Sequence, residues 1–380
     1  MKDFHYFNPT RIVFGRTAID SLSDLVPKDG KVLLTYGGGS IKRHGIHEKV
    51  VAALEGRQVL EMGGIEANPD YETLLRGCEL ARKEEVSFLL AVGGGSVVDG
   101  TKFIAAAARY EGEDPWRIIE THGKVVKDAL PLGVVLTLPA AGSESNANAV
   151  ISRRELGLKM HFRSEAVFPR FALLDPETTY TLPADQLRNG VADAFVHVLE
   201  QYATFPAKAP LQSRQAEAIL HTLIEQARAV LASPPDYYAR AGLMWCANQA
   251  LNGLIGLGMP QDWSTHRIGH ELTAIYGLDH AASLVVVLPG LLRHQIDSKR
   301  AMLEQYGRRI FDVPSAEAAI ERTEAFFRDI GMKTRLSEHE IDAAEAAAKV
   351  GERLAARGER LGEHKDLDAA SVSEILLSRA

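Results

Sequence analysis

The stretch SFLLAVGGGSVVDGTK, residues 87–102, decides the fold. A short apolar run leads into Gly93, Gly94 and Gly95, then a hydroxyl at Ser96, then a helix-compatible segment. That order brings backbone N–H groups against a phosphate. Glycine lets the backbone approach closely and take positive φ. The helix N-terminus adds its positive dipole end. The loop fits neither GxGxxG nor the Walker pattern GxxxxGK followed by Ser or Thr. A tight strand-to-helix turn without a ligand would use the same glycines. Their position at the expected carboxyl end of a parallel strand favours a ligand. Asp99 and Lys102, on the next turn, either face the cofactor or form a surface pair.

Working outward, the first half alternates. KVLLTY (31–36), RQVLEM (57–62), LPLGVVLTLPA (130–140) and FALLDP (171–176) contain further strands. IHEKVVAALEG (46–56), YETLLRGCELARKE (71–84) and VVDGTKFIAAAARY (97–110) read as helices. Short apolar strands separated by helices predict an α/β fold with a doubly wound parallel sheet. KVLLTY also ends in three glycines and a serine, Gly37 to Ser40, a shared strand-end device rather than a repeat. After Tyr180-Thr-Leu-Pro183 the texture changes to helix almost throughout, as in QSRQAEAILHTLIEQARAVLA (212–232) and IDAAEAAAKVGERLAARGERL (341–361). ATFPAKAP (203–210) is a proline-punctuated connection. The reading is therefore a dinucleotide-binding α/β domain over 1–182 and an all-helical metal-binding domain over 183–380, with the active site expected in the cleft between them.

The bulk numbers bound the class. With 380 residues the chain has room for two cores. Hydrophobic content of 46% and charged content of 24% suit a globular enzyme. A net charge of −7 and the lack of a basic stripe argue against nucleic acid. No polybasic amphipathic segment suggests a membrane surface, and no apolar run reaches spanning length. The two cysteines, Cys78 and Cys246, form no CxxC, which fits a reducing compartment. With no apolar h-region near the start, a cytoplasmic enzyme is expected.

The helical half carries groups with the makeup of a divalent-metal site. In NGVADAFVHVLEQY (189–202), Asp193 and His197 are four apart and leave one helix face. His266 and His270 repeat that spacing, and His280 follows in GLDHA. Three imidazoles and a carboxylate suit Zn²⁺ or Fe²⁺. A lone D-x3-H is common by chance, but the histidines cluster here. Spacing does not say which four of the five groups bind, and His270 could instead support a ligand or donate a proton. A metal that polarises oxygen and a loop that cradles a dinucleotide together suggest metal-assisted hydride transfer.

The other glycine loop, TYGGGSIKRHG (35–45), bears on cofactor choice. An NAD enzyme often places an acid near the adenosine ribose. Here no Asp or Glu follows until Glu48; the loop instead offers glycines, Ser40, Lys42 and Arg43. Room, N–H donors and positive charge suit a 2′-phosphate, although a solvated basic turn would look similar.

These motifs together resemble the iron-type, metal-dependent alcohol dehydrogenases. GGGSVVDGTK, TLPAAGSESN, the Asp193/His197 pair and the His266, His270, His280 set carry the resemblance. NPTRIVFG, TYGGGSIK, GGIEANPDYETL and PQDWSTHRIGHELTAIYGLDHA are similar to the NADPH-dependent aldehyde reductase, butanol dehydrogenase-like branch. The resemblance covers essentially the whole chain. It implies metal ligands at Asp193, His197, His266 and His280, with His270 as a non-ligand histidine beside nicotinamide and substrate. It implies pyrophosphate contacts at Gly94, Gly95, Ser96 and Asp99, and further cofactor contacts at Asn68, Thr137, Leu138, Asn146, Lys159 and Leu182. Gly38, Gly39 and Ser40 match the loop that receives the 2′-phosphate. The family commonly has Thr before GSE, where this chain has Ala141, so one hydroxyl contact is lost.

The implied reaction is hydride transfer between NADP(H) and aldehydes or primary alcohols, favouring aldehyde reduction, with one divalent ion, Fe²⁺ or Zn²⁺, polarising the carbonyl oxygen. Four protein ligands close a tetrahedral site, so turnover needs an ion that accepts a fifth. A dehydroquinate-synthase-like lyase would share the cofactor domain and a metal. It would also need a basic pocket, which the Ala-, Leu- and Gly-rich metal segments disfavour. A metal-dependent hydrolase would lack the dinucleotide loop. A homodimer is expected if an edge strand near the N-terminus pairs across a two-fold axis.

Overall fold

The computed structural model describes residues 1–380. The chain forms two compact units, one of Phe7–Pro183 with Pro234–Asn248, the other of Met1–Tyr6, Ala184–Ser233 and Gln249–Ala380. The units are thus not the contiguous halves 1–182 and 183–380. Met1–Tyr6 joins the helical unit, where the Lys2 amide donates to the Gly258 carbonyl at 2.9 Å. Residues 234–248, most of the helix Tyr237–Leu251, join the sheet unit. Buried polar contacts hold them there: Asn248 Nδ2 donates to Glu144 Oε1 at 2.7 Å and to Ser145 Oγ at 2.8 Å. Hydrophobic periodicity does not register such contacts.

The sheet unit has six parallel strands in the order β1-β8-β5-β4-β2-β3. These are β1 (Arg11–Phe14), β2 (Lys31–Tyr36), β3 (Gln58–Met62), β4 (Val86–Gly94), β5 (Leu132–Leu138) and β8 (Phe171–Leu174). Side chains alternate between the two faces. Val32, Leu34, Phe88, Leu90 and Val92 enter one core with Phe171. Leu33, Leu89 and Ala91 enter the other, under the helices Tyr71–Lys83 and Gly95–Arg109. Burial on both faces explains why the strands read as continuous apolar runs.

From β2 the chain steps outward to β3, and from β4 it steps the other way to β5. The carboxyl ends of β2 and β4 therefore flank a switch point, where open α/β sheets bind ligands. Both glycine loops sit there.

A second sheet, unforeseen in the sequence, pairs β6 (Asn148–Arg153) antiparallel with β7 (Leu158–Arg163). Its turn uses Gly157 at φ +59°. The strands are short and only half apolar, so neither stands out as a buried run.

The helical unit packs Ile268, Leu272, Val286, Val287, Leu291 and Val350 into one core. The helix Ala184–Tyr202 is buried on every side from Gly190 onward. No helix is long and apolar enough to cross a membrane.

One packing constraint is directly testable. A Cβ on Gly133 of β5 would stand 2.2 Å from the Phe171 ring, which is buried and stacks on Phe88. Gly133→Ala is expected to destabilise the sheet unit by about 1–3 kcal/mol through overpacking. The check is a lower thermal or urea midpoint; an unchanged midpoint would mean the core there is loosely packed.

Candidate metal centre and cofactor loops

Three helices build the first site. Ala184–Tyr202 carries Asp193, His197 and Glu200 on one face, at i, i+4 and i+7. Ser264–Tyr276 carries His266 and His270. His280 opens the helix His280–His294, capped by Asp279, whose side chain accepts from the amides of Ala281 and Ala282.

Asp193 is the hub. Its Oδ1 lies 3.4 Å from His197 Nδ1, 3.7 Å from His266 Nε2 and 3.8 Å from His280 Nε2. Asp193, His266 and His280 each offer a ligand atom, all within 4.8 Å of one another. His197 is beside them, its ring stacked on that of His266 at 4.5 Å between centroids. His270 is farther out, its ring 6.4 Å from His266 and 5.5 Å from His280.

The donor set fits a cation. Asp193 Oδ1, His197 Nδ1 and His266 Nε2 are buried without hydrogen-bond partners. Each such atom costs about 1–3 kcal/mol when left unsatisfied. Ligands held about 2.1 Å from a tetrahedral ion stand roughly 3.4 Å apart, close to the observed spacing.

The electrostatics point the same way. Burial works to raise the Asp193 carboxyl, but His197, His266 and His280 outweigh it and hold it far below the usual range. Burial pushes His197 down to about 4 against the attraction of Asp193. Burial would lower His266 too, yet Glu200 and Asp193 raise it to about 9. A proton drawn into the pocket in this way marks a field that attracts positive charge, and a divalent ion would displace that proton on binding.

Glu200 did not figure among the sequence candidates. Its contact with His266 Nδ1 is direct, and its signal was the i+7 position in NGVADAFVHVLEQY.

The second site lies in the sheet unit. β4 ends at Gly94, and the helix Gly95–Arg109 starts at once with no acidic residue in its first turn. Its amides and dipole end are therefore unopposed. A Cβ on Gly94 would come 3.0 Å from the Leu138 side chain, and one on Gly95 would come 3.1 Å from Ala141 Cβ. Ala141 thus adjoins the loop of Gly93, Gly94 and Gly95. The Asn68 amide donates to Ser96 Oγ at 3.2 Å, with Asn68 at φ +56°.

Asp99 and Lys102 do not form a surface pair, because Lys102 is fully buried. Lys102 Nζ donates to Ser143 Oγ and Asn146 Oδ1, both at 3.0 Å, and to the Asn148 carbonyl at 2.7 Å. Burial lowers its pKa to about 8. Asp99 accepts from Ser143 Oγ and, at 2.8 Å, from the Val150 amide. Asn146 Nδ2 donates to the Gly142 carbonyl at 2.9 Å. Asp99 and Asn146 thus brace the loop 142–150. Thr137 and Leu138 end β5, Lys159 is buried on β7, and Leu182 is in the turn before Ala184–Tyr202.

At the loop after β2, Cβ atoms on Gly38 and Gly39 would meet nothing within 4 Å. Gly39 has φ +86° and Ser40 begins a short helix. One expectation needs correction: a carboxylate does reach this loop. Glu61, from β3, accepts from Lys42 Nζ at 2.7 Å and from Tyr36 Oη at 3.2 Å, and lies 2.9 Å from His47 Nε2. It is distant in sequence and adjacent only because β3 pairs with β2.

With this geometry in view, comparison with known proteins assigns the family. The family model of iron-containing alcohol dehydrogenases matches residues 9–176, and the model of that family's C-terminal domain matches 188–379. The chain belongs to the iron-containing alcohol dehydrogenase family. It is an oxidoreductase, and the lyase alternative is not favoured. It is 53% identical over 375 residues to the NADPH-dependent aldehyde reductase YqhD of Escherichia coli, covering 97% of each chain. It is 39% identical to the NADP-dependent alcohol dehydrogenase 3 of Entamoeba histolytica, covering 99% of this chain and 98% of that one. Among solved structures, that of Escherichia coli YqhD superposes with a TM-score of 0.98 at 51% identity, covering 100% and 99% of the two chains. The NADH-dependent butanol dehydrogenase A of Thermotoga maritima superposes at 0.95 with 34% identity, also covering 100% and 99%.

The site yields two contrasting expectations. Asp193→Ala, His197→Ala, His266→Ala and His280→Ala should each drop bound metal from about one ion per chain toward zero. His270→Ala should keep the metal but slow turnover or shift its pH dependence. Metal analysis beside steady-state rates checks both. Full occupancy in two of the first four variants, or metal loss in His270→Ala equal to that in His266→Ala, would contradict the division of roles.

Proposed function

We propose that this chain reduces aldehydes to primary alcohols with NADPH, and that Asp193, His197, His266 and His280 hold one Fe²⁺ or Zn²⁺ ion. The observation that carries the reading is the convergence of unpartnered buried atoms on Asp193, in a chain so similar to an NADPH-dependent aldehyde reductase. The two units serve as cofactor domain and metal domain. When bound, the ion supplies Lewis acidity toward the carbonyl oxygen.

The protein's own residues do the rest. Amides at Gly94, Gly95 and Ser96 receive the pyrophosphate. Asn68, Asp99, Thr137, Leu138, Asn146, Lys159 and Leu182 shape the remaining cofactor wall. The backbone of Gly38, Gly39 and Ser40 receives the 2′-phosphate. Bound NADPH would supply the hydride for the carbonyl carbon, and His270 would either supply the proton for the oxygen or orient the carbonyl.

We further place the enzyme in the cytoplasm, since the chain has only two cysteines, Cys78 and Cys246, which are buried, far apart in sequence and part of no CxxC. We also infer a homodimer. β1 is an edge strand paired only to β8, and Phe14 at its end is exposed against an equally exposed Trp245. Sedimentation should then report about twice 41.5 kDa.

Relatives that carry NADH-dependent names make cofactor choice the sharp test. NADPH is expected to exceed NADH by at least about tenfold in kcat/KM, roughly 1.4 kcal/mol, which one or two charge-assisted hydrogen bonds supply. Gly38→Asp should erode that preference, mainly by raising KM for NADPH. It is a cleaner variant than Gly39→Asp, because Gly38 has neither a crowded Cβ position nor positive φ. Following NADPH oxidation against a panel of aldehydes, with metal content measured on the same sample, tests the whole reading. Equal or better use of NADH would refute the account of the loop, and no oxidation with any aldehyde would refute the reaction.

A further inference from the structure

The structure assigns Glu200 as a positioning residue for the metal group. It holds His266 in the tautomer that carries its proton on Nδ1 and turns its Nε2 lone pair toward Asp193. It also adds a second buried negative charge beside that of Asp193. The inference rests on the ligand reading proposed above.

Three observations carry it. First, Glu200 is committed at both oxygens. Oε2 takes the Nδ1 proton of His266, while Oε1 accepts from the amide of Thr265 at 2.6 Å and more weakly from that of His266 at 3.4 Å. One carboxylate thus grips both the ring and the first turn of its helix. A histidine ring hydrogen-bonded at one nitrogen by a carboxylate presents the other as a fixed, more basic donor.

Second, Glu200 is buried and its one ionic partner is His266. The buried Lys299 is engaged elsewhere: it lies 3.0 Å from Asp262 and 2.7 Å from Glu363. With neutral imidazoles, the Glu200 carboxylate adds its negative charge to that of Asp193, which favours a cation at the cluster.

Third, the mount is braced. The Asp262 amide donates to the Glu200 carbonyl at 2.9 Å, and Asp262 Oδ1 accepts from the Ser264 amide at 3.0 Å. The segment entering the His266 helix is therefore tied to the helix that carries Asp193.

The test is Zn²⁺ and Co²⁺ affinity by chelator competition, with the Co²⁺ visible spectrum, on the wild-type chain, Glu200→Gln and Glu200→Ala. Gln keeps one oxygen, which can meet the Nδ1 proton or the helix amides but not both, and removes the charge. Ala removes the oxygen and the charge. Glu200→Ala is expected to bind about 10–100-fold more weakly, the usual penalty for losing such a partner. Its Co²⁺ spectrum should change as the ring is freed. Glu200→Gln should weaken binding by a smaller factor while keeping the wild-type spectrum. A merely structural cap would leave Glu200→Gln with wild-type affinity, and that result would overturn the inference. Gln decides the matter alone if the Ala variant does not fold. A wild-type chain that binds neither ion would overturn the ligand reading itself, and is distinguished by appearing before any variant is compared.

Discussion

The Asp193 carboxylate is the constraint on which the helical unit turns. It sits among Val191, Ala192, Ala194, Phe195 and Val196, all buried, on a helix with no solvent-facing side over its second half. An ionised group there costs several kcal/mol unless it is answered. Nothing on its own helix except His197 can answer it. The compensation has to arrive from other helices, and His266 and His280 come from two of them. Packing those helices so that three imidazoles meet one carboxylate then leaves ring nitrogens that cannot all be satisfied by one another. The carboxylate and the imidazoles form one electrostatic unit, which a cation would complete. Removing any member leaves the others worse off than in an apolar core of the same shape.

The glycine loops show how packing and ligand arguments can be separated. Gly94 and Gly95 are required by their neighbours, since a Cβ at either position would crowd Leu138 or Ala141. Their presence alone is consistent with a tight turn. Gly38 and Gly39 are different: nothing lies near their Cβ positions. Positive φ explains Gly39 but not Gly38. Neither crowding nor strain within the protein accounts for Gly38.

How far the sequence could be read follows from the same distinction. The apolar runs at 31–36, 87–92, 130–140 and 171–176 each contain a strand, because strands buried on both faces leave a signal independent of partners. The hairpin of β6 and β7 left no such signal, since its half-polar strands depend on their pairing. Asp193, His266 and His280 were legible because histidines are rare enough to cluster visibly and because the resemblance fixed their register. Glu200 was hidden among ordinary helix-face glutamates, and only its contact with His266 distinguishes it. Lys102 looked like a surface charge on a helix turn, yet it is buried against three oxygens from the segment 143–148. Local pattern reads periodicity well. It reads poorly those polar groups whose partners come from another element of the fold.

Glu61 illustrates the same limit at the cofactor loop and changes the energetic account there. From sequence, Lys42 is a free positive charge beside Gly38 to Ser40. In the fold it is already paired with Glu61, which also adjoins His47. A 2′-phosphate could recruit Lys42 only by drawing it from that carboxylate, and all three groups keep some exposure to solvent. Exchanging one solvent-screened ion pair for another is worth little. Under the proposal that this loop receives the 2′-phosphate, discrimination for NADPH would come from donors that have no competing partner and need no rearrangement. The loop backbone supplies them: amides on residues whose side chains take no space, next to a carboxylate kept neutralised by its own neighbours. The Glu61 cluster removes a repulsion rather than adding an attraction, so a carboxylate near the ribose end is compatible with a phosphate-bearing cofactor.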